Sequence, residues 1–280
     1  MGKPLIPAQR RQQIIEFLKA HQIAQIAELS ERLGASEATI RRDLEWLEGQ
    51  GLAERTHGGA LLTQRMPLEP AYAFSAQAHP EEKRRIGRAA AGLVNDGETV
   101  FVNSGTTATQ FIRHLRLRPD LRSVTVITNN VTAVLEARDD SGLDAILLGG
   151  QFRTVANSTF GLFANAMLRQ LSADKAVIGI DGITLRFGVT TPAGAEAEIA
   201  QVMIERTRGP VIAIFDHSKW GVVSNFEIAP LERFHGVVVD DGLAPEHRAA
   251  LEARSLSVLV AGDEPAPAAL DLERPHVPVR

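Results

Sequence analysis

The sequence lacks several features that would place it in well-defined classes of protein. It has no cysteine, which excludes disulfide scaffolds, thiolate metal sites and cysteine nucleophiles. No apolar run approaches the roughly 18–20 residues that a membrane helix needs, and the N-terminus lacks the apolar segment of a signal peptide. The net charge of −4 gives no overall basic character of the kind that marks many nucleic-acid-binding proteins. We therefore expect a soluble, cytoplasmic protein.

The first part of the 280-residue chain carries the pattern of a small helical module. Apolar residues at helical spacing predict two short helices before residue 35. A third helix is expected after Ser36, a favourable N-cap, with a buried face made of Ile40, Leu44 and Leu47. Residues 51–61 then fit a strand, a Gly-Gly turn and a second strand. We predict a winged helix-turn-helix over residues 1–61.

The third helix has the character of a recognition helix on the face opposite its apolar stripe. At 100° per residue, Ala38 and Arg42 lie on that outer face, flanked by Thr39 and Arg41. Short side chains permit close approach to DNA, and guanidinium groups match phosphates and guanine edges. Two residues beside the Gly-Gly turn extend this surface to the wing. The predicted DNA contacts are Ser36, Ala38, Thr39, Arg41, Arg42, Arg55 and His57.

A plain surface role is the alternative for part of this set. Arg41 has Glu37 four residues before it and Glu45 four residues after it, so it is able to pair on the helix surface. Arg42 has no acid at either spacing, which makes it the stronger prediction for DNA contact. A helix-turn-helix can also serve only as a protein interaction module.

From residue 81 onward, short apolar segments alternate with helical patterns, which predicts a parallel sheet covered by helices on both faces. Residues 62–80 contain prolines and polar residues and are predicted to be a linker. The proline-rich residues 263–280 are predicted to be a disordered tail. The sequence thus predicts a larger α/β domain over residues 81–262. Its expected strands are residues 99–102, 124–128, 145–148, 177–180, 211–215, 236–239 and 256–260.

Polar loops follow the predicted strands, at the sheet edge where parallel α/β proteins bind ligands. Residues 103–107 are rich in glycine and hydroxyls and lead into a helix, whose N-terminus favours a phosphate or carboxylate. Basic side chains in other loops would balance an anion, while carboxylates and amides would hold hydroxyls. Walker and dinucleotide glycine motifs are missing, so a small polyhydroxy anion is favoured over a nucleotide. The predicted ligand-binding residues are Asn103, Ser104, Gly105, Thr106, Thr107, Asn129, Gly150, Arg153, Asp181 and Lys219.

Signals for catalysis are weak in this sequence. No G-x-S-x-G motif surrounds a serine, and no H-E-x-x-H or comparable histidine cluster offers a metal site. His217 lies in one of the polar loops but has no identifiable partner for general-base chemistry, so a surface or capping role is expected. Glu196 and Glu198 are interpreted as first-turn helix acids, although either could reach the ligand edge. We predict no catalytic residue, no metal and no cofactor.

Several motifs resemble the DeoR family of bacterial transcription regulators in order and spacing. Those of the first module are SEATIRRDL at 36–44 and RTHGGA at 55–60. The others are residues 103–107, 128–130, 148–150, 179–182 and 216–219, so that the resemblance extends from about residue 8 to residue 245. It implies a winged helix joined to a Rossmann-like sensor domain related to ribose-5-phosphate isomerase and CoA transferases. It also implies that residues 104–107 hold the phosphate of an effector and that Asn129, Asp181 and Lys219 face its remainder.

The resemblance implies a homodimeric or homotetrameric repressor of a carbohydrate or polyol operon, which leaves operator DNA when a phosphorylated sugar binds. One position departs from the family pattern: residue 103 is Asn, where Asp is more common before Ser-Gly-Thr-Thr. An amide cannot act as a carboxylate base, which counts against residual isomerase activity. The alternatives are a sugar-phosphate isomerase or transferase with an appended helix-turn-helix, and an activator that responds to a non-sugar ligand.

Overall fold

The computed structural model of the protein describes residues 6–21, 23–49, 53–56, 58–62, 64–66, 71–136 and 143–262. The helices are α1 (Pro7–His21), α2 (Ile26–Leu33), α3 (Glu37–Gly49), α4 (Tyr72–Gln77), α5 (Pro80–Ala91), α6 (Thr106–Arg116), α7 (Val131–Glu136), α8 (Leu162–Arg169), α9 (Gly194–Arg206) and α10 (Pro245–Glu252). None of these described helices combines the length and apolar character that crossing a membrane requires.

The strands are numbered in chain order. They are β1 (Ile23–Gln25), β2 (Ala53–Arg55), β3 (Gly59–Leu62), β4 (Gln64–Met66), β5 (Thr99–Val102), β6 (Val124–Thr128), β7 (Leu143–Leu147), β8 (Gln151–Arg153), β9 (Ser158–Phe160), β10 (Lys175–Gly179), β11 (Gly182–Thr184), β12 (Gly188–Thr191), β13 (Val211–Phe215), β14 (Val222–Ser224), β15 (Phe226–Ala229), β16 (Gly236–Asp240) and β17 (Ser257–Ala261). A short 3₁₀ turn, His217–Lys219, follows β13.

The N-terminal part is a winged helix-turn-helix, which confirms the predicted fold. Helices α1, α2 and α3 pack around a fully buried core of Ile14, Leu18, Leu29, Ile40, Leu44 and Leu47. Strands β1, β3 and β2 form a small antiparallel sheet beside them. A side chain at Gly59 would place its Cβ 2.0 Å from the carbonyl oxygen of Ala24, so only glycine lets β1 and β3 approach this closely.

The larger part is built on a parallel sheet of seven strands in the order β17-β16-β13-β10-β5-β6-β7. Successive residues of each strand point to opposite faces, so Val100 and Val102 pack under α5 and α6, while Phe101 packs with the core under α8 and α9. The central strands β5, β10 and β13 are therefore apolar on both faces, as buried parallel strands are. The predicted strands overlap these seven strands, with ends that differ by two residues or fewer.

Other features of the larger part lie outside the predicted pattern. The sequence does not predict three small sheets: β8 with β9, β11 with β12 and β15, and β4 with β14. The segment predicted as a linker, residues 62–80, contains β4 and α4, and β4 pairs with β14 of the larger part. The predicted tail, residues 263–280, lies outside the described residues. The division of the chain into domains remains a prediction.

Candidate functional site

The start of α3 is stabilised by a hydroxyl cap. Ser36 precedes the helix, and its side chain accepts a hydrogen bond from the backbone N–H of Thr39 over 3.3 Å. The two hydroxyls, of Ser36 and Thr39, are also 2.9 Å apart, within hydrogen-bonding distance. Ala38 between them is exposed. The cap that the sequence predicts is therefore present, and it fixes the end of the helix at which a recognition helix meets DNA.

The arginines of this surface differ in their partners. Arg41 donates to Glu37 over 2.7 Å, and Arg55 of β2 donates to Glu45 over 3.0 Å. Arg42 is exposed, and among the described residues no hydrogen bond or ion pair of its side chain is present. Its guanidinium is thus available to a phosphate or base without first giving up a protein partner. His57, the remaining predicted contact, lies outside the described residues.

A buried acid holds α3 against α1. Asp43 is only 2% exposed and accepts hydrogen bonds from the Nε atoms of Arg10 and Arg11, the second over 2.8 Å. The guanidinium of Arg11 also lies 4.3 Å from the ring centre of Trp46 on α3. This contact was not predicted, although Asp43 lies three residues after Ile40 and therefore near the apolar stripe. It orients the recognition helix within its module.

A polar cavity opens at the carboxyl ends of the neighbouring strands β5, β10 and β13. The predicted residues that line it are Asn103, Ser104, Gly105, Thr106, Thr107, Asp181 and Lys219. Polar residues that line it without having been predicted as ligand contacts are Tyr72, Ser75, Lys83, Thr191 and Glu196. Residues more than 140 positions apart in the chain thus meet at one edge of the sheet, because parallel strands end there.

The loop after β5 supplies the N-terminus of α6 to this cavity. Gly105 precedes the helix with φ 128, a conformation that favours glycine, and α6 begins at Thr106. The carbonyl oxygen of Gly105 accepts from the N–H of Thr109, so the N–H groups of the first helical turn have no partner within the helix. These groups and the helix dipole favour an anion at this wall of the cavity.

Asn103 uses its amide to join two strands. Its Nδ2 donates to the carbonyl oxygen of Gly179 over 2.9 Å, and its Oδ1 accepts from the N–H of the same residue over 2.7 Å. Both ends of the amide are thus committed to the end of β10. An aspartate here would keep the second bond but would face the Gly179 carbonyl with a negative charge. The amide at residue 103 therefore makes two backbone hydrogen bonds, one of which an ionised carboxylate could not donate.

Glu196 is the centre of a buried hydrogen-bond network. It lies in the first turn of α9, is 7% exposed, and accepts from the hydroxyls of Ser104 and Ser158 over 2.5 Å each. Nδ2 of Asn129 is 3.4 Å from Glu196, and an Nη atom of Arg153 is 3.7 Å from it. Asn129 and Arg153 are therefore behind the cavity wall, where they surround the carboxylate.

The positive side chains of the cavity come from α5 and from the turn after β13. Lys83 is 3% exposed; its Nζ donates to the carbonyl oxygens of Ser75 and Ala78, 2.6 Å away in each case, and lies 3.9 Å from Asp216. Burial lowers the pKa of Lys83, and the nearby Asp216 opposes that shift. Lys219 lines the cavity from the 3₁₀ turn. Two lysines near one helix N-terminus make the site favourable for an anion.

Three other residues that the sequence analysis names, Asp181, Gly150 and His217, are held by neighbouring parts of the structure. Asp181 accepts from the hydroxyl of Thr191 over 2.8 Å. Gly150, with φ 154, is packed so that a Cβ would lie 2.5 Å from the carbonyl oxygen of Phe160. His217 has the partner that the sequence does not reveal: its Nδ1 is 2.7 Å from Asp240, which is buried.

Two family models together match most of the chain. The DeoR-like helix-turn-helix domain matches residues 10–65, and the DeoR C terminal sensor domain matches residues 78–241. The chain belongs to the DeoR family. The resemblance seen in the motifs is thereby confirmed, and the protein is a DNA-binding transcriptional regulator of DeoR type.

Several DeoR-type relatives are similar over nearly their whole length. An uncharacterized HTH-type transcriptional regulator of Escherichia coli K12, YgbI, is 34% identical over 93% of this chain and 100% of its own. The transcriptional repressor GlcR of Bacillus subtilis is 33% identical over 81% of this chain and 86% of its own. The lactose phosphotransferase system repressor of Lactococcus lactis is 30% identical over 85% and 92%.

Among solved structures, ribose 5-phosphate isomerase A from Methanocaldococcus jannaschii is similar to part of this DeoR-family chain. It is 19% identical, covers 51% of this chain and 55% of its own, and has a TM-score of 0.38. The family assignment depends on the sequence relatives and not on this likeness.

Lys83 and Tyr72 line the cavity but were not predicted from the sequence. Lys83 lies in the first turns of α5, and nothing local in the sequence marks it as buried. Tyr72, the single tyrosine of the chain, lies in the segment predicted as a linker. Glu196 is noted as a first-turn acid, but its role as a shared acceptor depends on partners that are distant in sequence.

Proposed function

We propose that this regulator represses a carbohydrate or polyol operon and leaves its operator when a phosphorylated sugar binds in the polar cavity. The observation that carries the proposal is the composition of that cavity, which places a helix N-terminus and two lysines beside carboxylates and hydroxyls. The helix N-terminus and the lysines suit a phosphate, and the carboxylates and hydroxyls suit the hydroxyl groups of a sugar. The printed names of GlcR and the lactose phosphotransferase system repressor support repression as the mode of action.

We assign the phosphate to the loop at residues 104–107, with Lys219 and Lys83 balancing its charge. Asp181 and Glu196 face the hydroxyls, and Asn129 and Arg153 act on the effector through Glu196. Asn103 and Gly150 position backbone rather than ligand. Because the partner is chromosomal operator DNA, the protein works in the cytoplasm.

The proposal is tested by selecting operator fragments from genomic DNA and then titrating them with the protein in gel-shift assays at fixed salt. We expect one compound from a panel of sugar phosphates to release the DNA, while the same sugar without phosphate does not. Release by the unphosphorylated sugar alone would contradict the assigned phosphate site. Enhanced binding or enhanced transcription on addition of a ligand would favour the activator.

Arg42 is the predicted DNA contact that the structure leaves most available. We expect Arg42→Ala to weaken operator binding by about tenfold or more, the loss of one guanidinium–base or guanidinium–phosphate contact. The matched control is Arg84→Ala, which removes the same charge from an exposed position on α5. Equal operator affinity for the two variants would show that α3 is placed in the wrong register on DNA.

We also propose that two copies of the chain associate through an exposed apolar surface at the β7 edge of the sheet. We assign to this surface the exposed apolar side chains of α7, β7, β8 and α8, which are Leu135, Ile146, Leu147, Phe152, Leu162, Phe163 and Met167. Leu162 and Phe163 are 81% and 72% exposed, and grouped apolar side chains of this size mark interfaces. A two-fold pair at this edge would present two winged helices to repeated half-sites.

Association is tested by sedimentation of the wild type and of Phe163→Glu. We expect the wild type to sediment as a dimer or tetramer and Phe163→Glu to shift towards monomer. The control is Leu117→Glu, an equally exposed leucine at the end of α6. Identical sedimentation of the two variants would place the interface elsewhere.

We propose that the chain is not an isomerase or transferase. Both ends of the Asn103 amide are bonded to Gly179, and His217, although paired with Asp240, is not among the residues that line the cavity. Incubation with ribose 5-phosphate and with the effector found above should give no conversion in an NMR assay. Turnover that Asp240→Asn abolishes would establish the enzyme instead.

A further inference from the structure

Helix α4 forms part of the wall of the polar cavity. Tyr72 and Ser75 line the cavity together with the loop at residues 104–107. The hydroxyl of Tyr72 donates to the hydroxyl of Thr109 on α6 over 2.9 Å, and its backbone N–H donates to the carbonyl oxygen of Val155 over 2.7 Å. The first residue of α4 is thus fixed to the helix whose N-terminus faces the ligand.

Lys83 holds the other end of α4. Carbonyl groups in the last turn of a helix have no partner within the helix, and the carbonyl oxygens of Ser75 and Ala78 accept from Nζ of Lys83. Nearly all of the Lys83 side chain is buried, so these two oxygens and Asp216 replace its water. Lys83 is also among the residues that line the cavity, so the residue that caps α4 borders the ligand space.

The position of α4 in the chain gives these contacts their significance. The helix-turn-helix match ends at residue 65 and the sensor match begins at residue 78, so α4 lies between the two family models. The chain passes from the winged helix through β4 and α4 before it enters the seven-stranded sheet. Because β4 lies between the winged helix and α4 and pairs with β14 of the larger part, a change in the docking of α4 reaches the DNA-binding module through β4.

We propose that α4 is the element that carries effector binding to the winged helix, with Lys83 and Tyr72 as the residues that set its docking. The proposal rests on the function proposed above, because it needs an anion in the cavity. A phosphate is a stronger partner for an ammonium group than a peptide carbonyl is. When the anion draws Lys83 towards itself, the last turn of α4 loses its cap and the helix shifts on α6. The effector then favours the conformation in which α4 is released.

The first test measures hydrogen–deuterium exchange with inorganic phosphate as the probe, against chloride at equal ionic strength. We expect phosphate to raise exchange in residues 72–77 by about fivefold, as for loss of one hydrogen bond, and to change exchange in α3 as well. The response should disappear in Lys83→Met. Unchanged exchange in the wild type, or an undiminished response in Lys83→Met, would overturn the proposal.

Tyr72→Phe keeps the ring and removes only the hydroxyl, so it remains informative if Lys83→Met does not fold. We expect it to raise exchange in residues 72–77 without phosphate by about fivefold and to change exchange in α3. The control is Phe74→Ala on the same helix. Phe74 is 71% exposed, so its substitution should leave exchange in residues 72–77 and in α3 unchanged. Faster exchange in α4 with no change in α3 would show that docking is not coupled to the DNA-binding module.

The selected operator then separates the two proposals. In the wild type, release of operator by the sugar phosphate tests the proposed function by itself. In Tyr72→Phe, the ratio of operator Kd with and without that sugar phosphate should fall by about fivefold, while Phe74→Ala keeps the wild-type ratio. If the sugar phosphate releases the wild type and Tyr72→Phe from operator DNA equally well, the proposed role of α4 is wrong, although the proposed function as a repressor is supported. If the wild type binds no operator, the proposed function fails and the exchange data alone decide the response of α4.

Discussion

The polar side chains of the recognition helix and those of the cavity are organised in opposite ways. On α3, Arg41 and Arg42 are exposed, and the acid that pairs with Arg41 is on the same helix. In the cavity, Asn103 and Glu196 are buried and bonded to residues from other elements. A change on α3 should therefore alter DNA binding without altering the fold, whereas a change in the cavity should alter both ligand binding and stability.

Asp43 is the exception on the DNA side and gives the largest expected effect. We expect Asp43→Ala to lower the free energy of unfolding of the winged helix by about 3 kcal/mol, because a buried acid that joins α1 to α3 is lost. Denaturant titration followed by tryptophan fluorescence measures it, with Trp220→Phe introduced into both proteins so that Trp46 is the reporter. Glu31→Ala, at an exposed site on α2, is the control. A loss no greater than that of the control would mean that the Arg10 and Arg11 contacts contribute nothing net.

Glu196 tests the cavity side of the comparison. We expect Glu196→Gln to lower the free energy of unfolding by about 2 kcal/mol, because charge-assisted bonds from Ser104 and Ser158 become bonds to a neutral amide. The control is Glu198→Gln, two residues along the same helix and exposed. Thermal unfolding of both variants measures the difference. Equal unfolding temperatures for the two variants would show that the buried bonds of the cavity do not contribute more to stability than an exposed side chain does.

Asn103→Asp should cost about 1 kcal/mol at neutral pH, since the carboxylate would face the carbonyl oxygen of Gly179. We expect that repulsion to hold the pKa of the new carboxyl in the folded state above its unfolded value. The loss is therefore present at pH values above the folded pKa and is relieved as the pH falls through it, when the protonated carboxyl donates to Gly179. Unfolding of the variant and the wild type from about pH 4, close to the ordinary pKa of an aspartate, up to about pH 8 measures it. A loss independent of pH would contradict this account.

Arg41→Ala should have the smallest effect on stability. Its pair with Glu37 is half-exposed on both sides, so we expect a change below about 0.5 kcal/mol in the free energy of unfolding. Denaturant unfolding measures the stability of the variant, and a gel shift with the selected operator measures the DNA affinity of the same preparation. A stability loss as large as that of Asp43→Ala would show that surface pairs on α3 are not separable from its fold.

Local sequence pattern predicts many of the strands and loops of this molecule, but it does not predict the contacts between residues that are distant in the chain. The strands at residues 99–102, 124–128 and 211–215 are predicted with the observed ends, because buried parallel strands are continuous apolar runs between turn residues. The loops that line the cavity follow from the same strand ends. The partners of Asn103 and Glu196 do not follow, because Gly179 is 76 residues from Asn103, and Ser104 and Ser158 are 92 and 38 residues from Glu196, so that no spacing rule joins them. The contact between Arg41 and Glu37, four residues apart, is predicted for the opposite reason.

The place of α4 between the two family matches bears on the construction of chimeric regulators. A domain exchange planned at the gap between the two family matches would place its junction within residues 66–77. A junction just before α4 transfers Tyr72, Ser75 and Lys83 together with the cavity that they line. A junction just after α4 joins a foreign helix to Lys83 and Thr109. Of the two hybrids, only the first keeps α4 together with the Lys83 and Thr109 side chains that bind it.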